Sequence, residues 1–508
     1  MKLSGLAVRR WVAGLFLVLL AAFFFLKAVN EGLNHDEQQF VAPPVLLAEK
    51  GALPYRDFAL LHMPNLVFAY AALDRFTSWH FLAARLFNAA CAWAIVALVF
   101  AAGHRLLATY KPWPRLALAG ALALLLCTST LALLTNGRTW NHDPALLPVV
   151  LAFCAYILAA RGEKAGAWLF ACGLCVGLAI GTRLTFAPIV APFGLAVLLL
   201  PVADWRRRVT LATLFSLGVL VALLPALYFL STQPEQFLYG NVQSQRLRLL
   251  DPTDEWARKT ATLWRKVRFF FKVVMAKDWP LFLGFLAVGL PGLVMHFRRV
   301  RRAPVWSGAL LLVLLLPFVF AGALAPTRFQ HQHYYALVPF LVLGIGFGLS
   351  QWRARARWAA GLLGLLALCS VVRAASEMQE FAQPREFARW VPVKVHRIGE
   401  DIARRAAGGR VLTLAPIHPL EGGARIYEEL AVGPFAYRLA HLLPDERRSR
   451  LRVCAPEDLP VVLSKEPPTA ILLGAEDAKL ETALRQYAEL RGFTPVKSYG
   501  KLTLWIAP

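Results

Sequence analysis

The stretch WVAGLFLVLLAAFFFLKAV, Trp11 to Val29, carries a single charge, Lys27. A bilayer core is roughly 30 Å thick and takes about 20 apolar residues in a helix to cross. This run therefore reads as a membrane span, and ten more read the same way: His80 to Leu107, Arg115 to Leu134, Ala145 to Ala160, Ala165 to Ile180, Leu184 to Leu200, Val209 to Leu230, Trp279 to Met295, Val305 to Leu324, Tyr334 to Ser350 and Trp358 to Arg373. Composition agrees. The 508 residues are 58% hydrophobic and 17% charged, against roughly 45–50% and about 25% in soluble domains.

The chain has 55 Lys plus Arg and 31 Asp plus Glu, a formal charge of +24. In a soluble protein that surplus points to nucleic acid; its placement here excludes nucleic acid as a partner. The first span follows Lys2, Arg9 and Arg10 and has no small-residue cleavage site after it, so it reads as a retained anchor with the N-terminus inside. Threading the chain from there, the inner segments hold Arg105, Lys111, Arg115; Arg161, Lys164; Arg206, Arg207, Arg208; Arg298, Arg299, Arg301, Arg302; and Arg353, Arg355, Arg357. With the N-terminal three that is eighteen basic residues, against two acidic ones, Glu163 and Asp204. Cytoplasmic loops carry this bias, so the basic surplus reports topology.

An odd number of spans leaves residues 375–508 outside. This tail has 19 Lys plus Arg and 17 Asp plus Glu, a balance typical of a soluble domain, and is long enough to bury its own core. Strand-like runs at Arg410 to Leu414 and Thr469 to Leu473 alternate with helical patterns. A helix from Glu476 to Leu490 ends at Gly492, and runs Pro495 to Tyr499 and Lys501 to Ile506 turn at Gly500 as a hairpin. The expected fold is a polytopic α-helical membrane protein of about eleven transmembrane helices (residues 1–374, first outer loop 30–79) with a C-terminal extracytoplasmic small α/β domain (375–508).

Six of the seven cysteines, Cys91, Cys127, Cys154, Cys172, Cys175 and Cys369, lie in spans, where thiols act as small hydrophobes. Only Cys454 lies in the tail, which therefore has no disulfide framework. Gly173, Gly177 and Gly181 recur every four residues on one face of the fifth span, a pattern that lets another helix approach closely.

The outer loops carry the chemistry. The first runs through Asn34-His35-Asp36-Glu37, Pro43-Pro44, Leu53-Pro54-Tyr55-Arg56-Asp57-Phe58 and His62-Met63-Pro64, a composition suited to helices along the interface. Asp36 and Glu37 read either as a functional acidic pair or as acids offsetting a helix N-terminus. The next outer turn, Asn136 to Pro144, holds Arg138 and Asp143-Pro144; Asp143 as cap and Pro144 as first helical residue is the structural reading, and capping and function can coexist. A third cluster, Thr327 to Tyr335, holds Arg328, His331 and His333. The two histidines suit a metal, a phosphate or, with the tyrosines, an interfacial anchor, with no third metal ligand evident from spacing. Arg183 is either a phosphate contact or a snorkelling anchor, the anchor being favoured. Arg265 to Lys277, with Phe269, Phe270 and Phe271, reads as an interfacial helix beside anionic membrane lipids.

An early acidic pair, the Tyr-Arg-Asp and Pro-rich stretch after it, an Asp-Pro opening the fourth span, and an Arg with His-Tyr-Tyr before a late span together resemble the polyprenyl-phosphate-sugar-dependent glycosyltransferases of the GT-C fold. The group they are most similar to is glycosyltransferase family 39, of the protein O-mannosyltransferase and lipid A aminoarabinose transferase type. The resemblance covers most of the chain and lies in the order and side of the motifs. It implies an inverting transfer from a polyprenyl-phosphate-linked sugar to a lipid, glycan or protein acceptor at the outer face of a bacterial inner membrane. Asp36 matches the family's first-loop acid and would be the base. Glu37, about 100° away on a helix, would orient a ligand or metal, and Asp143 would bind the sugar or hold the first loop. Arg56, Arg138, Arg328 and His333 are the expected donor-phosphate contacts. A divalent metal ion is the one cofactor kept open.

Two rivals belong to other classes. A glycolipid transporter or flippase would place ionisable residues near the midplane, whereas Asp and Glu are absent from the expected spans. A non-catalytic envelope assembly protein would leave Asp36 and Asp143 freely replaceable. The topology is tested by fusing a reporter active only in the cytoplasm to the C-terminus: no signal is expected, and a signal would invert the threading.

Overall fold

The computed structural model describes residues 5–508 except 163, 203, 252–254, 261, 300–307, 329 and 353–355. Of the charges used to set the topology, Lys2, Glu163, Arg301, Arg302, Arg353 and Arg355 lie outside the described residues, as do Phe329 and the first residues of the expected ninth span.

Over its described residues each expected span is helical, though the third is broken and the sixth begins as a 3-10 turn. Eight helices are long and apolar enough to cross a membrane and three shorter apolar ones accompany them, so the protein is a multi-pass membrane protein. These long and shorter apolar helices are α1 (Gly5–Asn30), α4 (His80–Leu106), α5 (Pro112–Cys127), α7 (His142–Ala159), α8 (Ala165–Thr182), α9 (Val190–Leu198, entered by a 3-10 turn Leu184–Ile189) and α10 (Trp205–Thr232). Further along come α12 (Trp279–Arg298), α13 (Gly308–Leu324), α14 (His331–Gln351) and α15 (Ala356–Ala382). Between α1 and α4 lie α2 (Gln38–Lys50) and α3 (Asn65–Asp74), and α11 (Leu263–Phe269) precedes α12. Leu263, Trp264 and Phe271 around α11 are exposed, as an interfacial segment requires.

Two boundaries differ from expectation for identifiable reasons. The third span stops at Cys127 and restarts as α6 (Thr130–Thr135), because the buried carboxylate of Asp278 accepts from Thr130 N (2.5 Å) and Leu131 N (3.2 Å) and so caps a new helix start. The fourth span starts at His142, with Asn141 as its N-cap residue, so Asp143 is not the cap but lies inside the first turn of a spanning helix.

The glycine stripe does what its spacing implies. A Cβ on Gly173 would lie 1.9 Å from the Phe215 carbonyl oxygen and one on Gly177 2.5 Å from that of Val219, both on α10; the two helices meet backbone to backbone. Gly181, the third member, faces the Asn65 side chain instead.

The C-terminal domain is a five-stranded sheet of order β2-β1-β3-β5-β4, with β1 (Arg410–Thr413), β2 (Arg425–Ile426), β3 (Ala470–Leu473), β4 (Thr494–Tyr499) and β5 (Leu502–Ile506). β1 pairs in parallel with β2 and β3; β5 runs antiparallel to β3, and β4 to β5. Gly500 turns the expected hairpin with φ +67°. Ile471 and Leu473 pack on one face of the sheet against α18 (Thr482–Leu490). Ala470 and Leu472 pack on the other, against Ile402 and Ala406 of α16 (Val391–Ala406). β3, a central strand buried on both faces, reads as continuous apolar sequence, which makes it legible. Helix α18 starts later than expected because Glu481 turns back and accepts from Gly474 N, Ala475 N and Glu476 N, holding those residues in a loop.

This domain rests on the first loop through shared apolar clusters: Phe40 and Val41 pack with Val395 and Ile417, and Ala42, Val45 and Leu46 with Leu420 and Ile426. Gly173→Ala is expected to lower stability by about 1–3 kcal/mol, read as a fall in melting temperature in detergent. Gly194→Ala, where a Cβ meets nothing within 4 Å, should leave it unchanged or higher.

Candidate functional site

Asp36 is delivered by a turn that the sequence builds locally and one distant residue locks. Asn34 and Glu37 form a reciprocal capping box: Asn34 Oδ1 accepts from Asp36 N (2.9 Å) and Glu37 Oε2 from Asn34 N (2.8 Å). Arg85 of α4 then grips Glu37 with both sides of its guanidinium, Nε to Oε1 at 3.1 Å and Nη2 to Oε2 at 2.7 Å. Its remaining donors reach the carbonyls of Ala28 (3.0 Å), Glu31 (2.6 Å) and Gly32 (2.9 Å). Glu37 Oε1 also accepts from Thr139 N at 2.9 Å. Both side chains are 0% exposed. Glu37 therefore joins α1, α4 and the turn before α7. It does not orient a ligand or metal as expected, since its oxygens are spent inside the protein.

With that turn fixed, Asp36 faces a cavity of about 760 Å³ at the end of the helix bundle, walled by the first loop, the starts of α7 and of the 3-10 turn, the segments around 241–248 and 325–333, and Phe435, Arg438 and Leu439 of α17 (Pro434–Ala440) in the C-terminal domain. The charge on this wall is lopsided. Arg183, Arg246, Arg248, Arg328 and Arg438 line it with His35, His62, His142 and His333, and Asp36 is the only carboxylate among the described lining residues. About a third of the Asp36 side chain, 31%, stays open to the cavity. Its enclosure pushes the carboxyl above the usual Asp range, against the pull of His35, Arg248, Arg328 and Arg138. His35 Nε2 stands 4.0 Å from Asp36 Oδ1 while its Nδ1 meets Glu476 at 2.8 Å, so the C-terminal domain orients the imidazole beside the acid. Burial pulls His62 down to about 3, which leaves it neutral at pH 7, its Nε2 2.8 Å from Gln39 Oε1.

Other expected site residues fall elsewhere. Asp143 is buried and accepts from Tyr335 Oη at 2.8 Å. With its amide in the orientation that satisfies both groups, Asn136 also donates to Asp143. Asp143 thus ties α7 to α14 and does not line the cavity, so neither the sugar contact nor a hold on the first loop is what it provides. Arg56 is half exposed and paired with Asp57 at 2.7 Å, away from the cavity. Arg138 is bound to Glu31 at 2.6 Å and lies 4.8 Å over the Trp140 ring, behind the wall. Both drop out as phosphate contacts because a local carboxylate has claimed them. Arg328 and His333 do line the cavity.

Arg183 corrects the opposite way: expected as an anchor, it lines the cavity. Arg248, Arg246, Arg438, His62 and His142 were missed. Charge in the 231–278 loop hinted at the first two; no sequence signal places α17 over the cavity. His331 and His333 diverge, His331 packing 4.8 Å from the Phe269 ring. Among the described residues no three His, Cys, Asp or Glu are grouped to hold a metal ion. A wall with five arginines and one carboxylate among its described residues does not fit a resident divalent ion.

Arg85→Ala leaves Glu37 charged and unpaired in the interior and is expected to destabilise the protein by about 3–5 kcal/mol, measured by thermal unfolding in detergent. Arg56→Ala should stay within about 0.5 kcal/mol of wild type.

No family model and no curated protein matches this chain. Its structure is similar to that of ArnT from Cupriavidus metallidurans. Against the undecaprenyl phosphate-bound crystal form the TM-score is 0.59 over 97% of each chain, and against the apo form 0.61 over 98% of each, both at 16% sequence identity. The Archaeoglobus fulgidus oligosaccharyltransferase, in its complex with Zn and sulfate, aligns with TM-score 0.53 and 12% identity over 90% of this chain and 67% of that one. The chain is a multi-pass membrane protein with the GT-C fold and a small C-terminal sheet domain.

Proposed function

We propose that the protein is an inverting glycosyltransferase that moves a sugar from a polyprenyl-phosphate donor to a hydroxyl of a lipid, glycan or protein acceptor. The site would face the periplasm across a bacterial inner membrane, with the N-terminus cytoplasmic. The observation that carries this reading is a cavity of about 760 Å³ with one carboxylate, Asp36, in a wall of arginines and histidines, on a fold shared with a protein crystallised with undecaprenyl phosphate.

The reaction needs one base and stabilisation of one anion. The acceptor hydroxyl gives its proton to Asp36 as its oxygen bonds to the anomeric carbon from the face opposite the leaving group. The bond from that carbon to the phosphate oxygen breaks, and its electron pair stays on the phosphate. A lipid phosphate leaves as an anion without protonation, so the help it needs is positive charge. Arg248 and Arg328 on the wall supply it in a partly water-excluded site, where fixed cations act more strongly than in water. Arginine forks match phosphate oxygens.

A base must be ionised to act. Because the Asp36 carboxyl lies above the ordinary range, activity is full above its raised pKa and is lost as pH falls through it. The acid limb of the rate profile therefore lies above the ~3.9 of an unperturbed Asp. Purified protein incubated with a panel of polyprenyl-phosphate sugars and envelope lipids should release free polyprenyl phosphate. Asp36→Asn is expected to slow that release by roughly 10²–10⁴-fold while still binding the lipid. Release by Asp36→Asn at the wild-type rate would remove the proposed base; absence of turnover with every donor would reject the reaction.

A further inference from the structure

We infer that Arg183, His142 and His333 form a second oxyanion subsite, apart from the arginines around Asp36, that holds a phosphate or carboxylate group carried by a substrate. The subsite stands on its own geometry; only the naming of its ligand as a substrate rests on the glycosyl-transfer reading.

Arg183 ends α8 in extended conformation, φ −151° and ψ 113°, where the chain breaks before the 3-10 turn. Its Nη1 donates to Asn141 Oδ1 (3.0 Å) and its Nε to Thr185 Oγ1 (2.9 Å). Both partners are neutral, and neither bond uses Nη2. Among the described residues Arg183 forms no ion pair, whereas the buried Arg85 and the half-buried Arg138 each have a carboxylate at 2.7 Å or closer. Enclosure pulls the Arg183 guanidinium down to about 10, so at neutral pH it stays a cation that burial penalises and no protein carboxylate offsets.

Two imidazoles share its surroundings. Both ring nitrogens of His142 and Nδ1 of His333 are buried without a protein hydrogen-bond partner. Buried polar atoms are usually paired; other unmet ones are scattered through the described residues, but these three nitrogens line one recess together with Arg183. Arg183, His142 and His333, with Thr185 and Gln332, line a small recess that opens from the main cavity. A neutral ligand would satisfy the imidazoles but leave the charge; an oxyanion meets both needs. The recess is also distinct from the catalytic acid. Among the described residues Asp36, Arg248 and Arg328 line the main cavity but not the recess, so Arg183 is the recess's own arginine.

The test uses the full-length protein in detergent and measures binding of farnesyl phosphate and of glucose 1-phosphate, with farnesol and glucose as uncharged controls, for wild type, Arg183→Gln, Arg183→Lys and His142→Phe. Arg183→Gln should weaken at least one phosphate by roughly tenfold or more and leave farnesol and glucose unchanged; Arg183→Lys should recover part of the loss. Loss for farnesyl phosphate assigns the recess to the lipid carrier, and loss confined to glucose 1-phosphate assigns it to an anionic group on the sugar or acceptor. His142→Phe keeps the ring and removes both nitrogens, and should give the same selective loss. Without anion, Arg183→Gln should melt no lower than wild type, because it removes an uncompensated charge. A clear fall in melting temperature would mark Arg183 as structural and overturn the subsite, as would equal binding of both phosphates by Arg183→Gln and wild type, or failure of wild type to bind either. Selective loss in a protein that turns over no polyprenyl-phosphate sugar would keep the subsite and reject glycosyl transfer.

Discussion

One guanidinium and one carboxylate sealed from solvent, Arg85 and Glu37, set where everything else at the cavity lies. Arg85 gathers the last carbonyls of α1 and the carbonyl of Gly32 while gripping Glu37, and Glu37 in turn holds Thr139. Helix ends leave carbonyls without partners, and here a side chain from the next pass supplies them. Gly137 makes the approach possible: it has φ +81°, and a Cβ there would meet Lys27 and the backbone of Ala28 at 3.2–3.3 Å. The 3-10 turn His35–Glu37 between these anchors presents Asp36 to the cavity. An interior ion pair of this kind costs desolvation and is weak evidence for stability; what it fixes is register between three chain segments that no apolar contact alone would align.

The same logic explains the charge on the cavity wall. Around the site nearly every acidic side chain is committed to a structural partner: Glu31 to Lys27 and Arg138, Asp143 to Tyr335, Glu476 to His35, Glu421 to His396. With its carboxylates spent on architecture, the protein leaves Asp36 facing a concentration of positive charge. A site of that composition favours reactions in which negative charge accumulates on a departing group and a single proton must be taken up. The C-terminal domain belongs to this arrangement. Gln38 accepts from Ile417 N at 3.0 Å and Phe81 N donates to Glu421, so α17 and its arginine are part of the wall and not a tethered appendage.

Much of the architecture was legible in the sequence. Run length and apolarity located the eight helices long enough to cross a membrane and the three shorter apolar ones beside them, since a helix in lipid must satisfy its own backbone. The four-residue glycine repeat marked the close contact of α8 with another helix. The hairpin at Gly500 and the buried strand at Ala470–Leu473 were equally plain. Boundaries slipped where a carboxylate took backbone N–H groups, Asp278 at Thr130 from 148 residues away and Glu481 at Gly474 from seven.

The candidate site was legible only in part, and the divide is physical. Hydrophobic length, periodicity and turn chemistry act between near neighbours, so the sequence by itself determined the apolar helices, the strands, and the loop on which the acid stands. Which charged residues remain available to a ligand depends on partners far along the chain: Glu37 meets Arg85 across 48 residues, Arg138 meets Glu31 across 107, and Asp143 meets Tyr335 across 192. Those pairings turned four expected site residues, Arg56 with its neighbour Asp57 included, into structure. The tertiary fold alone brought Asp36, Arg183, Arg248, Arg328, His62, His142 and His333 to one cavity wall, because only folding sets loops so far apart in the chain side by side.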